Sequence, residues 1–140
     1  MDRAAGATAS SRRSVVFVCV ANSFRSQMAE AIAKSVAGEA WDIWSAGSNP
    51  GGSVHPAAVA LMQELGLDLS GHRSKGVDAL PPRRWDVVVT MGCGDRCPTL
   101  RAARRLDWDI PDPSGHSLED ARRIRDDLVA RVRALLTSPA

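Results

Sequence analysis

The chain has 140 residues, 18 of them basic and 16 acidic, with a formal net charge of +2. This length predicts one domain that can bury a core, and so small a net charge does not indicate nucleic-acid binding. No apolar run approaches the length needed to cross a membrane. The first thirteen residues are rich in Ala, Ser and Arg and lack the apolar core of a signal peptide. We therefore expect a disordered tail over 1–13 and a single domain over 14–138.

The cysteines and histidines bear on redox environment and metal binding. Three cysteines, an odd number in a chain without an export signal, favour a reducing cytoplasm over a disulfide framework. The histidines at positions 55, 72 and 116 are scattered, without the spacing of a zinc site, so we expect loop or helix-cap roles and no bound metal. Nothing in the sequence demands more than a monomer.

The first predicted elements are a buried strand and an amphipathic helix. Residues 15–18 are apolar, mostly β-branched and free of charge, which is typical of a strand buried on both faces. From Arg25 onward, apolar residues recur at helical spacing, and Gly38 provides a stop. Cys19 is therefore predicted at the carboxyl end of a strand, with a helix beginning six residues later.

The rest of the chain alternates strands with helices. Further strands are predicted at Trp41–Gly47, 85–91 and 104–110, a short helical turn at 77–80, and helices at 56–65 and 118–136. This alternation predicts a three-layer α/β/α fold with a parallel sheet and right-handed crossovers. Because sites in such sheets lie at the carboxyl ends of the strands, Cys19, Cys93 and Asp112 should open onto one edge.

The loop between the first strand and the first helix has the chemistry of an oxyanion site. Its backbone N–H groups and the positive end of the helix converge on one spot, which suits a tetrahedral oxyanion. The same field, with Arg25 nearby, favours the thiolate of Cys19 and makes it a nucleophile. Asn22 can hold the loop's shape, and the Ser26 hydroxyl can donate to the thiolate. The predicted loop comprises Val20, Ala21, Asn22, Ser23, Phe24, Arg25 and Ser26. The alternative is that Cys19 is a small buried apolar residue.

Cys93 and Cys97 are interpreted as a redox pair. Glycines on both sides of Cys93 give the backbone freedom to move, and Pro98 disfavours a helical conformation at Cys97. A buried thiol pair and half of a zinc site are the alternatives, but no second ligand pair supports zinc. We expect a relay of thiolate substitutions in which Cys19 attacks an oxyanion, Cys93 attacks the sulfur of that adduct, and Cys97 attacks Cys93. The resulting disulfide then awaits an external reductant.

Asp112 is the candidate general acid. It opens the segment Asp-Pro-Ser-Gly, which is a common turn signal, so a purely structural role is the alternative. Attack on an oxyanion requires a proton for the departing oxygen, and an aspartate on a loop above the site suits that role.

Together these segments resemble the thioredoxin-coupled arsenate reductases that are built on the low-molecular-weight protein tyrosine phosphatase fold. The resemblance is carried, in chain order, by residues 16–30, 44–47, 88–91, 93–98 and 112–115. It implies a four-stranded parallel sheet, arsenate as substrate, and phosphate or sulfate as oxyanion mimics. Cys19 would be the nucleophile, Arg25 would grip the oxyanion and Asp112 would be the general acid. Cys93 and Cys97 would be the second and third thiols.

The same resemblance bears on cofactors. It implies no tightly bound cofactor and a reductant that is thioredoxin or a low-molecular-weight thiol. Some members of the family hold a monovalent cation behind the oxyanion loop, and Asn22, Glu30 and Ser45 match positions that help to hold it. The remaining carboxylate position is Lys75 here. We hypothesise that the Lys75 ammonium replaces the cation; the alternative is an ordinary surface lysine.

Two rival functions use the same residues. A low-molecular-weight protein tyrosine phosphatase would hydrolyse phosphate monoesters through a Cys19 phosphocysteine and would need neither Cys93 nor Cys97. Those phosphatases usually carry tyrosines after the Asp-Pro pair, whereas this chain has no tyrosine. An arsenic- or redox-responsive interaction module, which would use the thiols to sense, would need neither Asp112 nor a complete oxyanion loop. The additional cysteines favour reduction of arsenate.

Overall fold

The computed structural model describes residues 12–92 and 99–137. Its strands are β1 (Arg13–Cys19), β2 (Trp41–Gly47), β3 (Trp85–Thr90) and β4 (Ala102–Asp107), and its helices are α1 (Arg25–Ala37), α2 (Pro56–Gln63) and α3 (Leu118–Thr137). One-turn 3₁₀ helices cover Gly38–Ala40 and Val77–Ala79. The four strands form one sheet in the order β2-β1-β3-β4, and each neighbouring pair is parallel. The predicted parallel α/β fold with four strands is confirmed.

Strand β1 lies inside the sheet and is covered on both faces. Val15 and Phe17 join the larger apolar cluster, to which all three described helices contribute. Val16 and Val18 face the other way, where they pack in a smaller cluster with Trp85. Side chains of a strand point alternately to the two faces, so burial on both sides explains why residues 15–18 of β1 carry no charge.

The two faces of the sheet are covered differently. The larger cluster takes apolar residues from α1, α2 and α3. On the smaller side, the partly buried residues that pack against the cluster are Val20, Trp44, Leu80, Leu100 and Ala102. Leu80 directly follows the 3₁₀ turn Val77–Ala79, so the predicted turn is confirmed and forms part of this thinner cover.

The last strand differs from the prediction. We expected it at 104–110, but it runs from Ala102 to Asp107, with Ala102 paired to Trp85 and Asp107 paired to Thr90. β4 is an edge strand rich in exposed arginines, so no apolar run marks its limits. The helix expected at 56–65 likewise ends earlier, at Gln63.

The chain termini add two observations. Residues 1–11 of the expected disordered tail lie outside the described residues, but Arg13, which we assigned to that tail, begins β1. Within the described ranges, no helix combines the length and the apolar character required to cross a bilayer.

Candidate active site

The segment from Cys19 to Phe24 forms a loop whose carbonyl groups are all engaged by the surrounding protein. Each of the six carbonyl oxygens accepts a hydrogen bond of 2.7–3.1 Å. The donors, in order along the loop, are Ser48 N, Asn49 N, Gly51 N together with Ser74 Oγ, Gln27 Nε2, His55 N and Met28 N. By contrast, no group in the described parts of the chain accepts from the backbone N–H groups of residues 20–24. These N–H groups are therefore free to bind an oxyanion.

Gly47, at the end of β2, allows the protein to approach the loop this closely. A Cβ atom at this position would lie 2.6 Å from the carbonyl oxygen of Val20 and 2.9 Å from the backbone nitrogen of Asn22. Backbone atoms cannot swing aside as a flexible side chain can. A side chain at position 47 would therefore push the loop out of shape.

Cys19 is the last residue of β1, and its sulfur faces the Ser26 hydroxyl. Cys19 Sγ lies 2.9 Å from Ser26 Oγ, and Asn22 Nδ2 donates to the same oxygen at 2.7 Å. Since Ser26 Oγ accepts from Asn22, the one hydroxyl proton remains available for the sulfur. The Ser26 hydroxyl can therefore donate its hydrogen to the Cys19 sulfur.

Arg25 and Asp112 meet above the loop. Arg25 Nη1 donates to the carbonyl oxygen of Ile110 at 3.1 Å, and Arg25 Nη2 lies 4.0 Å from Asp112 Oδ2. The Arg25 side chain is 12% exposed and that of Asp112 is 53% exposed. Asp112 is held by Ser114, whose backbone N–H and hydroxyl both donate to Oδ1. The guanidinium is thus held inside the site, while the carboxyl lies at its mouth.

These groups line one cavity of about 300 Å³. The predicted residues Cys19, Val20, Ala21, Ser23, Phe24, Arg25 and Asp112 all contribute to its wall. Asn22 and Ser26 are fully buried and lie behind it. The prediction that Cys19, Cys93 and Asp112 open onto one edge of the sheet is therefore confirmed for Cys19 and Asp112.

Two wall residues were not predicted. Ser114 lines the cavity and anchors Asp112. His55 lines it too, with its ring centroid 4.7 Å from that of Phe24. The expected cap role of His55 is confirmed, since its Nδ1 accepts from Ala57 N at the start of α2. The adjoining Pro56 gives a sequence signal for the cap but none for the cavity.

Comparisons with known proteins identify the family. The family model described as low molecular weight phosphotyrosine protein phosphatase matches residues 14–139. The chain belongs to this family. A relative named glutaredoxin arsenate reductase, from Synechocystis sp., is 38% identical over 127 residues, which is 89% of this chain and 96% of the relative.

Two solved structures in the comparison are named as arsenate reductases. One is described as an arsenate reductase in the phosphate binding state, with a TM-score of 0.81, 38% identity, and coverage of 89% of this chain and 96% of that one. The other is the thioredoxin-dependent arsenate reductase of Corynebacterium glutamicum, with a TM-score of 0.75, 34% identity, and coverage of 93% and 63%. This member of the phosphatase family therefore resembles arsenate reductases along nearly its whole length.

Behind the loop, the buried carboxylate of Glu30 lies between Lys34 and Lys75. Lys34 Nζ lies 2.6 Å from Glu30 Oε2 and Lys75 Nζ lies 3.5 Å from Glu30 Oε1. Lys75 Nζ also donates to Ser45 Oγ at 3.2 Å, and Ser45 Oγ donates to Glu30 Oε1. The Lys75 side chain is 16% exposed, so it points inward rather than into solvent.

The charges in this cluster are set by burial and by the two lysines. Burial opposes the charge of Glu30, but hydrogen bonds from Lys34 and Ser45 and the charge of Lys75 outweigh it, so the pKa of Glu30 lies below its usual value. Burial lowers the pKa of His72, which lies 4.0 Å from Glu30. In the described ranges, no group of three or more His, Cys, Asp or Glu residues is arranged to hold a metal ion.

The predictions for Cys93 and Cys97 concern residues that lie outside the described ranges. The last described residue before them, Gly92, lies directly against Arg25, because a Cβ atom at Gly92 would overlap Arg25 Nη1. Gly92 also has a φ of +81°, a conformation that favours glycine. The chain therefore passes the Arg25 guanidinium immediately before it reaches Cys93.

Proposed function

We propose that this protein is an arsenate reductase with Cys19 as its nucleophile. The observation that carries the proposal is one cavity that combines a thiol, a guanidinium and a carboxyl with a loop whose N–H groups have no acceptor among the described residues. The names of the relatives from Synechocystis and Corynebacterium supply the reaction. The similarity to an arsenate reductase in a phosphate binding state supports a tetrahedral oxyanion as the ligand.

The first step uses the groups around the cavity. The Cys19 thiolate attacks arsenic and forms a sulfur–arsenic bond, while Arg25 and the loop N–H groups hold the remaining oxygens. Asp112 gives its proton to the departing oxygen, which leaves as water. Arsenic is still pentavalent after this step, so no electrons have yet been transferred.

Reduction requires a second thiol. In our proposal the Cys93 thiolate attacks Cys19 Sγ, and the electron pair of the sulfur–arsenic bond passes to arsenic, which leaves as arsenite. Cys97 then attacks Cys93 Sγ, which frees Cys19 and forms the Cys93–Cys97 disulfide. The two electrons gained by arsenic are those lost by the two thiols of this disulfide.

An external thiol must then reduce the disulfide. We propose thioredoxin as the reductant, in line with the name of the Corynebacterium relative. The name of the Synechocystis relative supports an alternative reductant, a glutaredoxin that works with a low-molecular-weight thiol. The reduction potential and the accessibility of the disulfide decide which thiol reduces it, so the two reductants must be compared directly.

We also propose that Lys75 acts in place of a monovalent cation behind the loop. Its ammonium lies near both Glu30 Oε1 and Ser45 Oγ, and its backbone N–H donates to Asn22 Oδ1 at 2.9 Å. Both carboxylate oxygens of Glu30 thus already have a cationic partner. Potassium should leave the activity unchanged, and a several-fold stimulation would contradict the replacement.

The test of the function is arsenate-dependent oxidation of NADPH in the presence of thioredoxin and thioredoxin reductase. We expect steady turnover by the unmodified chain and none by Cys93→Ser or Cys97→Ser. If turnover requires glutaredoxin and a low-molecular-weight thiol instead, the reaction stands and the reductant changes. If arsenate drives no oxidation with either system, while an aryl phosphate is hydrolysed equally by the Cys93→Ser variant, the protein is a phosphatase.

A further inference from the structure

Gln27 is a fully buried amide next to the oxyanion loop that the proposed chemistry does not use. Its Nε2 donates to Asn22 O at 3.1 Å, to Asn22 Oδ1 at 3.0 Å and to Arg73 O at 2.8 Å. Its Oε1 lies 3.0 Å from His72 Nδ1. Two amide hydrogens thus serve three acceptors, two of which belong to Asn22. Since an amide oxygen can only accept, His72 Nδ1 is the donor to Gln27 Oε1.

These contacts fix the orientation of the Asn22 side chain. Asn22 Oδ1 receives hydrogen bonds from Gln27 Nε2 and from the backbone N–H of Lys75. Its Nδ2 must therefore face Ser26 Oγ, as observed at 2.7 Å. Gln27 also donates to the backbone carbonyl oxygen of Asn22. Asn22 has a φ of +50°, which is unusual for a residue other than glycine. The amide thus holds both the backbone and the side chain of Asn22.

The orientation of Asn22 determines where the Ser26 proton points. A serine hydroxyl has one hydrogen, and Ser26 Oγ uses a lone pair to accept from Asn22 Nδ2. The hydrogen is left for Cys19 Sγ at 2.9 Å. With the Asn22 amide reversed, its oxygen would face Ser26 Oγ and compete with the sulfur for that hydrogen.

We propose that Gln27 is a positioning residue that orients the hydrogen-bond chain from Asn22 through Ser26 to the Cys19 sulfur. The role rests on the proposed function of Cys19 as the nucleophile, because the chain ends on its thiolate. Gln27 touches neither substrate nor sulfur. It acts by keeping the amide of Asn22 in the one orientation that turns the Ser26 hydroxyl towards Cys19.

Other titratable and charged groups face Cys19 or Gln27. Arg25, His55 and Asp112 line the same cavity as the sulfur. On the far side of Gln27 stand His72 and, behind it, the Glu30 cluster. Replacement of Gln27 by methionine leaves all of these groups in the protein, so a change at Cys19 would report the loss of the amide.

The test measures how the reactivity of Cys19 depends on pH. In a chain carrying Cys93→Ser and Cys97→Ser, Cys19 is the only thiol, and its alkylation by iodoacetamide has a pH midpoint. We expect Gln27→Met to raise this midpoint by about one pH unit, since the thiolate loses an oriented donor. Ser26→Ala should raise it similarly, and Gln27→Met combined with Ser26→Ala should raise it no further. The exposed glutamine of α2 supplies the matched control, Gln63→Met, which should leave the midpoint unchanged.

A folded Gln27→Met protein with the parental midpoint would overturn the proposal, as would shifts that add in the double variant. If Gln27→Met does not fold, NMR of the unmodified protein decides. The side-chain amide protons of Gln27 and Asn22 should exchange slowly with solvent, and rapid exchange overturns the proposal. A shifted midpoint in a protein that reduces no arsenate would uphold this role and reject the proposed function.

Discussion

The front and the back of the oxyanion loop perform different tasks with different kinds of residues. At the front, Cys19, Arg25 and Asp112 face a cavity and hold groups that can react or bind an anion. At the back, buried polar groups such as Asn22 and Gln27 satisfy each other and the loop carbonyls. Among the described residues, none accepts from the N–H groups at the front, whereas the polar groups at the back are hydrogen-bonded to one another.

This difference predicts which substitutions lower the rate, which lower the stability and which lower both. A front substitution removes a chemical participant and should lower the rate without unfolding the protein. A back substitution disturbs the loop's shape and should lower rate and stability together. A substitution far from both should change stability alone.

Asp112→Asn should give the largest effect on catalysis. The amide cannot give up a proton, so we expect kcat for arsenate reduction to fall by about 10²–10⁴-fold with little change in melting temperature. Asp109→Asn is the matched control, because Asp109 is exposed and does not line the cavity. Steady-state kinetics of both variants check the prediction. An equal loss of kcat in both variants would contradict the role of Asp112 as the general acid.

Gly47→Ala should affect rate and stability together. The new methyl group would press on Val20 O and Asn22 N, so we expect a loss of about 1–3 kcal/mol of unfolding free energy and at least about tenfold in kcat/KM. Gly71→Ala is the control, since a Cβ atom there meets nothing within 4 Å. Urea unfolding and kinetics give both values, and an active, stable Gly47→Ala protein would contradict the account.

Glu30→Gln should destabilise the protein in a way that depends on pH. Removing the carboxylate leaves the partly buried Lys75 uncompensated, which should cost about 3 kcal/mol at neutral pH. Because the folded-state pKa of Glu30 lies below its ordinary value of 4.5, its contribution is complete above pH 4.5 and is lost as the pH falls through the folded-state pKa. Urea unfolding should show the gap between variant and parent closing in acid. A gap that stays constant with pH would argue against the ion pairs.

Glu64→Gln should have the smallest effect. Glu64 accepts from Arg122 and Arg125 of α3, and these hydrogen bonds lower its pKa to about 2. The group is exposed, so the melting temperature at neutral pH should fall by only about 3 °C or less, and activity should not change. The difference from the parent should disappear between pH 4.5 and pH 2. Loss of activity in Glu64→Gln would contradict the expectation that a substitution far from the site changes stability alone.

The sequence predicted the parts of the site that follow from local pattern. Cys19 and Arg25 lie on one short segment between an apolar run and a helical repeat, so their proximity needed no tertiary information. Asp112 is distant in sequence, but the rule for parallel sheets placed it at the same edge as Cys19. The limits of β4 were predicted wrongly because an edge strand rich in arginine carries no apolar signal.

Other site residues could not be predicted because their partners are distant in sequence. Gln27 stands in a helix where a polar residue normally faces water, and its hydrogen bond to Arg73 O joins residues 46 apart. His55 reaches the cavity only through the path of the connection after β2. The thiol relay through Cys93 and Cys97 remains a prediction.

The most direct test of the relay is a single turnover without any external reductant. Fully reduced protein is mixed with excess arsenate, released arsenite is counted, and the intact protein and its peptides are weighed by mass spectrometry. We expect one arsenite per chain, loss of two hydrogen atoms from the protein, and a disulfide that joins Cys93 to Cys97 with Cys19 again free. Absence of arsenite, with all three thiols still reduced, would contradict it.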